Sequence, residues 1–399
     1  MHFKITQNMD NHFIKRKLAD VILDASKYFS VLTITGPRQS GKTTLIRHLF
    51  DQLPYYSLEN LDIRSFAMND PVGFLSQHAQ GMILDEVHNA PALLSYIQQL
   101  ADNNPEKRFI LSGSSQFSML KNVTQSLAGR TAVFELMPLS YSEIKQSVTS
   151  KSLDNLLFDG CYPAIYAKKN KAEYLYPAYI KTYLEKDVRD MLQIKDMLQF
   201  QTFLKLCASR IGSLFNASEL SNEVGVSTNT IIAWLSVLQA SYIIYILPPF
   251  FDNSRKRLTK TPKIYFTDTG LACNLLGIES AAQLARDKMR GFLFENFIVS
   301  EALKHRFNLG KASNAYFYRD SHQNEVDLLL KTTEGVSAYE IKSAMTYNPQ
   351  FEKTLKQLSN WITEPVIDKT IVYSGEYENS ASEIRLIHYS NFSNAITGN

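Results

Sequence analysis

Short apolar runs alternate with longer amphipathic stretches through the first 145 residues. Five runs have the length and composition of buried strands: Val31–Thr35, Tyr55–Leu58, Gly81–Leu84, Phe109–Ser112 and Ala132–Leu136. Helical periodicity lies between them, and this alternation predicts a parallel sheet with helices on both faces. Pro138 and the polar run Gln146–Ser152 mark a change of composition. From Leu153 to Ser209 the pattern is helical and rich in Tyr, Leu and Lys. Ala217–Val224 reads as a short helix with cap residues Asn216 and Ser218, Gly225-Val226-Ser227 as a tight turn, and Thr228–Ala240 as a second helix. That second helix places Ile231, Trp234, Leu235 and Leu238 on one face. Tyr242–Leu247 and Lys263–Thr267 read as strands. Beyond Leu271 the pattern is again mixed, with strands at Ala315–Tyr318, Val326–Leu330 and Val336–Ile341. There is no internal repeat. The expected units are 1–145, 146–210, 211–270 and 271–399.

The run after the first strand carries the most specific chemistry. Gly36-Pro37-Arg38-Gln39-Ser40-Gly41-Lys42-Thr43 has the spacing G-x-x-x-x-G-K-T, between a strand and the helix-like Thr44–Phe50. Glycines let the backbone curl so that successive N–H groups face an anion, and the helix N-terminus adds positive potential. Lys42 is placed to reach the β- and γ-phosphates of a nucleotide, and Thr43 to hold Mg²⁺ through its hydroxyl. The nucleotide-binding set is thus Gly36 through Thr43 together with Thr44. The competing reading is a glycine-rich turn without a ligand.

Met82-Ile83-Leu84-Asp85-Glu86 is an apolar strand ending in two acids, expected to be the strand beside the phosphate loop. Asp85 would order the Mg²⁺ shell, and Glu86 would orient or deprotonate an attacking water. The alternative is an acid pair that caps a helix. Phe109–Ser112 runs into small polar residues, and Ser112, then Ser114, are candidates to sense the γ-phosphate. An ordinary helix cap at Ser114 or Ser115 is the alternative. Arg130, in Leu127-Ala128-Gly129-Arg130, is a candidate transition-state arginine. In a ring it would serve a neighbour, and in a monomer it would be a cis contact or a bystander; a surface ion pair is the plain alternative.

The helix–turn–helix of the middle unit, followed by two strands enclosing Arg255-Lys256-Arg257-Leu258-Thr259-Lys260, reads as a winged helix with a basic wing. Arg255, Lys256, Arg257 and Lys260 would sit on DNA phosphates. The tip of the second helix (Thr228, Asn229, Thr230) is uncharged, so packing on the ATPase or on a protein is the alternative. In the last unit Glu295 lies on a mostly apolar helix, Asp327 on one strand, and Glu340 and Lys342 on the next, with period two placing the latter pair on one face. Asp327 and Glu340 sharing Mg²⁺, Lys342 activating water and Glu295 completing the cluster would form a metal-dependent phosphodiesterase. The same acids held in ion pairs on an inherited fold are the alternative.

Composition sets bounds. The chain has 399 residues, 45% hydrophobic and 20% charged, as expected for a multidomain globular protein. A net charge of +3 names no partner. Cys161, Cys207 and Cys273 lack metal-ligand spacing and read as reduced, buried thiols. No apolar run approaches the length of a membrane span, and Met1–Lys17 is polar and basic without a secretory core, so the cytoplasm is the expected compartment.

These residues resemble the bacterial and archaeal AAA-type P-loop ATPases in which the nucleotide domain is joined to a C-terminal domain of unknown function. The likeness runs from about Phe13 to Tyr389 and is carried by Gly36–Thr43, Ile83–Glu86, Leu111–Ser115, Leu127–Arg130, Asp159–Pro163, Tyr183–Val188, Ile264–Leu271, Gly291–Asn296 and Glu325–Asp327. The last unit is also similar to the PD-(D/E)xK nuclease superfamily through Asp327, Glu340 and Lys342. Glu325-Val326 stands where that superfamily often has a proline before its metal-binding Asp. The resemblance implies an α/β chain: a P-loop NTPase parallel sheet, a helical segment, a winged helix and a restriction-endonuclease-like domain. It implies ATP and Mg²⁺ as cofactors, hydrolysis of ATP, and no membrane. The expected function is an ATPase acting on DNA, with further copies of the chain as candidate partners. The alternative is a nucleotide switch that binds DNA or protein and cuts nothing.

Overall fold

A computed structural model of the chain describes residues 13–113, 127, 129–147, 151–184, 196–251 and 260–397. The first unit is built on five parallel strands: β1 (Val31–Thr35), β2 (Tyr55–Ser57), β3 (Gly81–Asp85), β4 (Arg108–Ser112) and β5 (Thr131–Glu135). Their order is β2-β3-β4-β1-β5. β4 lies between the acid-bearing strand β3 and the phosphate-loop strand β1, so Ser112 is interposed between the loop and Asp85.

Alternation along the strands sends side chains to two apolar layers. Val31, Met82, Leu84, Phe109 and Leu111 pack with helices Leu61–Asn69, Pro71–Ser76 and Leu93–Asn103. Leu32, Ile34, Ile83, Ile110 and Phe134 pack with Leu18 and Ile22 of Leu18–Ala25 and with Leu45 and Ile46 of Lys42–Leu49. Both faces are covered, as a parallel sheet requires.

Helices Leu153–Asp159, Pro163–Ala167 and Ala172–Tyr179 follow, then Met197–Ser209, Ala217–Val224 and Thr228–Ala240. Trp234 stands edge-on to Phe200, with ring centroids 5.4 Å apart, and fixes the third of these last helices on the first. Strands β6 (Ile244–Leu247) and β7 (Lys263–Phe266) form an antiparallel pair. The last unit is a mixed sheet of order β12-β11-β10-β9-β8, made of β8 (Ala315–Arg319), β9 (Glu325–Lys331), β10 (Val336–Lys342), β11 (Val366–Tyr373) and β12 (Arg385–His388). Its β8–β9 and β9–β10 pairs are antiparallel, and β10–β11 and β11–β12 are parallel. Leu328, Leu330, Tyr339 and Ile341 belong to the large cluster containing helix Arg290–Asn308. Leu329, Val336 and Ala338 belong to a separate one with Leu355 and Leu358 of helix Lys353–Leu358. That large cluster runs from Leu139 to Ile396, so the middle and last units share one continuous apolar core. The three cysteines are free and buried, and burial pushes each thiol up, Cys161 to about 12. Among the described residues no helix is long and apolar enough to cross a membrane.

Candidate functional site

β1 ends at Thr35, and the chain turns at once. Gly36 has φ +144°, and a Cβ there would lie 2.2 Å from the carbonyl oxygen of Leu136, so a side chain is excluded. Gln39 and Gly41 are also left-handed, at φ +61° and +94°, and helix Lys42–Leu49 starts directly after. Pro37 is buried, Arg38 half-buried with Nη1 3.9 Å from Glu59 Oε1, and Thr44 exposed on the first helical turn.

Lys42 is only 5% exposed, and its Nζ donates to the carbonyls of Gly36 and Pro37, each at 2.9 Å. Burial pushes its pKa down to about 8; Glu86 and Asp85 oppose this and Arg38 adds to it. A buried ammonium whose hydrogen bonds go to neutral carbonyls is short of negative charge. Ser40 Oγ is buried without a hydrogen-bond partner among the described residues. A Cβ at Gly41 would meet nothing closer than Arg16 Nη1 at 3.7 Å. A curled backbone, an under-neutralised ammonium and an orphaned hydroxyl fit a phosphate group.

Thr43 Oγ1 donates to Asp85 Oδ2 at 2.8 Å. Tyr55, at the start of β2, donates its phenol to the same oxygen at 2.8 Å. Ser112 Oγ donates to Asp85 Oδ1. Ser112 therefore orients Asp85, a consequence of β4 lying between β1 and β3. The Thr43–Asp85 pair offers the hard oxygens that suit Mg²⁺. Glu86 leaves the strand at φ +55°. Burial raises its pKa, but hydrogen bonding to His88 and the charges of Lys42, His88 and Arg38 outweigh it and hold the carboxyl below its ordinary value. His88 Nδ1 lies 3.1 Å from Glu86 Oε2. Glu86 is thus an anion near Lys42, as a water-orienting group requires.

Three residues of this site carried no sequence signal. Tyr55 is one. Arg16 is another: its Nη1 donates to Ser40 O at 2.8 Å, its Nη2 to Met137 O at 2.6 Å and its Nε to Glu143 Oε1 at 3.2 Å. It ties the phosphate loop to the end of β5 and to helix Tyr141–Ser147. The third is Tyr242, whose hydroxyl reaches Thr35 Oγ1 at 2.8 Å and Glu135 Oε1 at 3.0 Å. An arginine or tyrosine at no fixed spacing from the loop gives no local pattern.

Arg130 lies just before β5. In the β1–β5 register Thr131 pairs with Val31 at one end and Glu135 with Thr35 at the other. Arg130 is therefore at the N-terminal edge of the sheet, about 17 Å of strand from the phosphate loop. It is exposed and its Nε lies 2.6 Å from Asp102 Oδ1. The cis contact with the chain's own nucleotide is excluded by this register. Ser114 and Ser115 lie outside the described residues.

In the last unit Asp327 Oδ2 accepts from Ile341 N at 2.8 Å and from Lys342 Nζ at 3.3 Å. Lys342 Nζ stands 2.6 Å from Glu340 Oε1, and Thr354 donates to Glu340 Oε2 at 3.0 Å. Asp327, Glu340 and Lys342 are thus brought together. Burial and the nearby Asp327 push Glu340 up to about 8, against the pull of Lys342 and Thr354. Glu295 faces Lys263 Nζ at 3.2 Å and the Tyr265 hydroxyl at 2.5 Å, both from β7. Among the described residues no group of three or more His, Cys, Asp or Glu side chains is placed to hold a metal ion. The expected cluster of Glu295, Asp327 and Glu340 around one Mg²⁺ does not fit this arrangement, because lysines stand between the carboxylates.

In the middle unit Arg255, Lys256 and Arg257 lie outside the described residues, and Lys260 is exposed. Arg210 is held by Glu223 at 2.5 Å and Glu219 at 3.4 Å.

Residues 28–145 match the family described as AAA domain. Residues 150–282 match a Domain of unknown function (DUF8612), and residues 290–392 another (DUF4143). Along the chain a region similar to AAA domains is thus followed by two regions similar to domains of unknown function. An uncharacterised protein of Mycobacterium tuberculosis is 29% identical over 354 residues, covering 87% of this chain and 77% of that protein. An uncharacterised protein of Methanocaldococcus jannaschii is 19% identical over 332 residues, covering 75% and 72%. Among solved structures, a Walker-type ATPase of Pyrococcus abyssi is similar with a TM-score of 0.47 and 14% identity, covering 66% of this chain and 96% of that one.

Proposed function

We propose that this AAA-domain chain binds ATP with Mg²⁺ in the loop Gly36–Thr43 and hydrolyses it. The observation that carries this reading is the buried Lys42 ammonium, held among the described residues on the carbonyls of its own loop beside the Thr43–Asp85 pair. Lys42 takes the β- and γ-phosphate charge, and the N–H groups at the start of its helix take the rest. Thr43 and Asp85 would hold the metal, with Tyr55 and Ser112 fixing the carboxylate. A metal held there would supply positive charge against the phosphate oxygens. Glu86 orients the attacking water and accepts its proton. The reading is tested by phosphate release. Lys42→Ala should lose both binding and turnover. Glu86→Gln should keep binding and lose turnover by roughly a hundredfold or more. Equal release from both variants and the wild type would refute it.

The output of this site is the middle of the chain, which touches the strand leading into the loop through Tyr242 and comes close to the loop through Pro163, 3.8 Å from a Cβ built at Gly41. In this reading the chain is a nucleotide-driven switch. DNA is the second reading for its target, supported by the helix–turn–helix before β6 and by Arg255, Lys256, Arg257 and Lys260 in the connection to β7. Replacing Arg255, Lys256 and Arg257 with alanine should weaken DNA binding and reduce its salt dependence by about three phosphate contacts. An unchanged salt slope assigns the unit to a protein target. The C-terminal acids take no part in either reading.

A further inference from the structure

Two adjacent residues of helix Arg290–Asn308, Glu295 and Asn296, both grip β7. Asn296 is fully buried, accepts from Phe266 N at 2.7 Å and donates to Phe266 O at 2.8 Å. Glu295 takes the side chains of Lys263 and Tyr265 from the same strand. Lys263 is 2% exposed, and its Nζ lies 2.6 Å from Glu325 Oε1 as well as 3.2 Å from Glu295 Oε1. Glu325 Oε2 is paired with Arg319 at 2.9 Å. Backbone bonds join the same parts, with Phe250 N donating to Phe317 O at 2.7 Å and Phe317 N to Pro248 O at 3.1 Å.

We propose that Glu295 and Asn296 clamp β7, and that Lys263 is the built-in cation of the acidic cluster, which joins the β6–β7 pair to the C-terminal sheet instead of holding a divalent metal. Four carboxylates, Glu295, Glu325, Asp327 and Glu340, already meet three cations, Lys263, Lys342 and Arg319. Mg²⁺ needs oxygens at about 2.0–2.1 Å in near-octahedral array. Here the ammonium groups occupy the approaches to those oxygens, and driving out Lys263 would leave a buried, unpaired charge. Asn296 supplies no ionic function at all; its place beside Glu295 is explained by strand capture. The clamp makes the β6–β7 pair move with the C-terminal unit.

The inference is independent of nucleotide turnover, and its test uses no nucleotide. Mn²⁺ is titrated into full-length Lys42→Ala protein, which silences the phosphate loop, and bound metal is read by electron paramagnetic resonance. No stoichiometric site at millimolar Mn²⁺ is expected. A site that Asp327→Ala removes would overturn the proposal. The second arm measures amide hydrogen exchange over 263–266. Glu295→Gln, by leaving the buried Lys263 short of negative charge, and Asn296→Ala, by loss of a buried hydrogen-bonding partner, should each speed it roughly tenfold or more. Lys263→Met should lower the melting temperature, and Lys263→Met with Glu295→Gln and Glu325→Gln should recover part of the loss. Unchanged exchange in both clamp variants would overturn the proposal even where Lys263→Met fails to fold.

Discussion

The phenol oxygen of Tyr242 stands 2.8 Å from Thr35 Oγ1 and so ties the connection into β6 to the last residue before the phosphate loop. The same oxygen donates to Glu135 at the end of the neighbouring strand. Tyr242 is held at φ +56°, with its carbonyl accepting from Thr267 Oγ1 at 2.6 Å. A residue in this uncommon conformation, with partners on two strands and on the β7 side, is over-determined by its surroundings.

Tyr242→Phe should therefore act at a distance. Loss of the hydroxyl leaves Glu135 and Thr35 short of a partner, at about 1–2 kcal/mol of stability. ATP should still bind. Nucleotide-dependent protection of amides in 228–247 should disappear, and hydrogen exchange with and without ATP measures it. Retained protection would make Tyr242 a packing residue only.

Arg16→Ala should be strongly destabilising. It strips a cation from Glu143, which is 1% exposed, and donors from Ser40 and Met137. Breaking a buried pair in this way costs about 3–5 kcal/mol. Arg16→Lys keeps a charge but not the three-way fork, so it should recover only part. Urea unfolding reads stability, and ATP titration of the Lys variant reads the shape of the loop.

Lys42 gives the nucleotide site a pH dependence of defined sign. Burial puts its folded pKa at about 8, below the ordinary 10.5. The ammonium is thus disfavoured by folding: the cost is present below the folded value and fades as pH rises through it towards the unfolded one. Phosphate restores the ammonium, so binding takes up protons above the folded pKa. ATP affinity should fall from about pH 7 to 9. Calorimetry in buffers of different ionisation heat would show that uptake. Lys42→Met should stabilise the nucleotide-free protein at neutral pH while abolishing binding.

Arg130 cannot serve its own nucleotide, so any catalytic part it plays is played on another copy. Arg130→Ala and Lys42→Ala proteins should each turn over poorly. Mixed, they should regain phosphate release that grows with protein concentration. No regain would leave Arg130 as the surface partner of Asp102.

The phosphate loop was legible because its chemistry is local. Glycine spacing, a preceding apolar strand and a following helix all lie between Val31 and Phe50. The Asp85-Glu86 pair was legible for the same reason. The interposed β4 was not, because strand order is decided by long-range pairing that leaves no mark in either strand. On that account Ser112, a candidate phosphate sensor, is also the partner of Asp85. Glu295 was recognisable as an acid needing a reason on an apolar helix. Its partners were not, because Lys263 and Tyr265 arrive from another unit.

By itself, then, the chain's sequence determined a parallel α/β unit, a glycine-rich anion loop, its acid pair, and the shared face of Glu340 and Lys342. These follow from periodicity and backbone freedom, which act between near neighbours. Tertiary structure decided which groups neutralise one another. Arg16 reaches the loop, Tyr242 reaches Thr35, and Lys263 enters the C-terminal acids, because burial makes each charge or hydroxyl find a partner wherever the fold brings one.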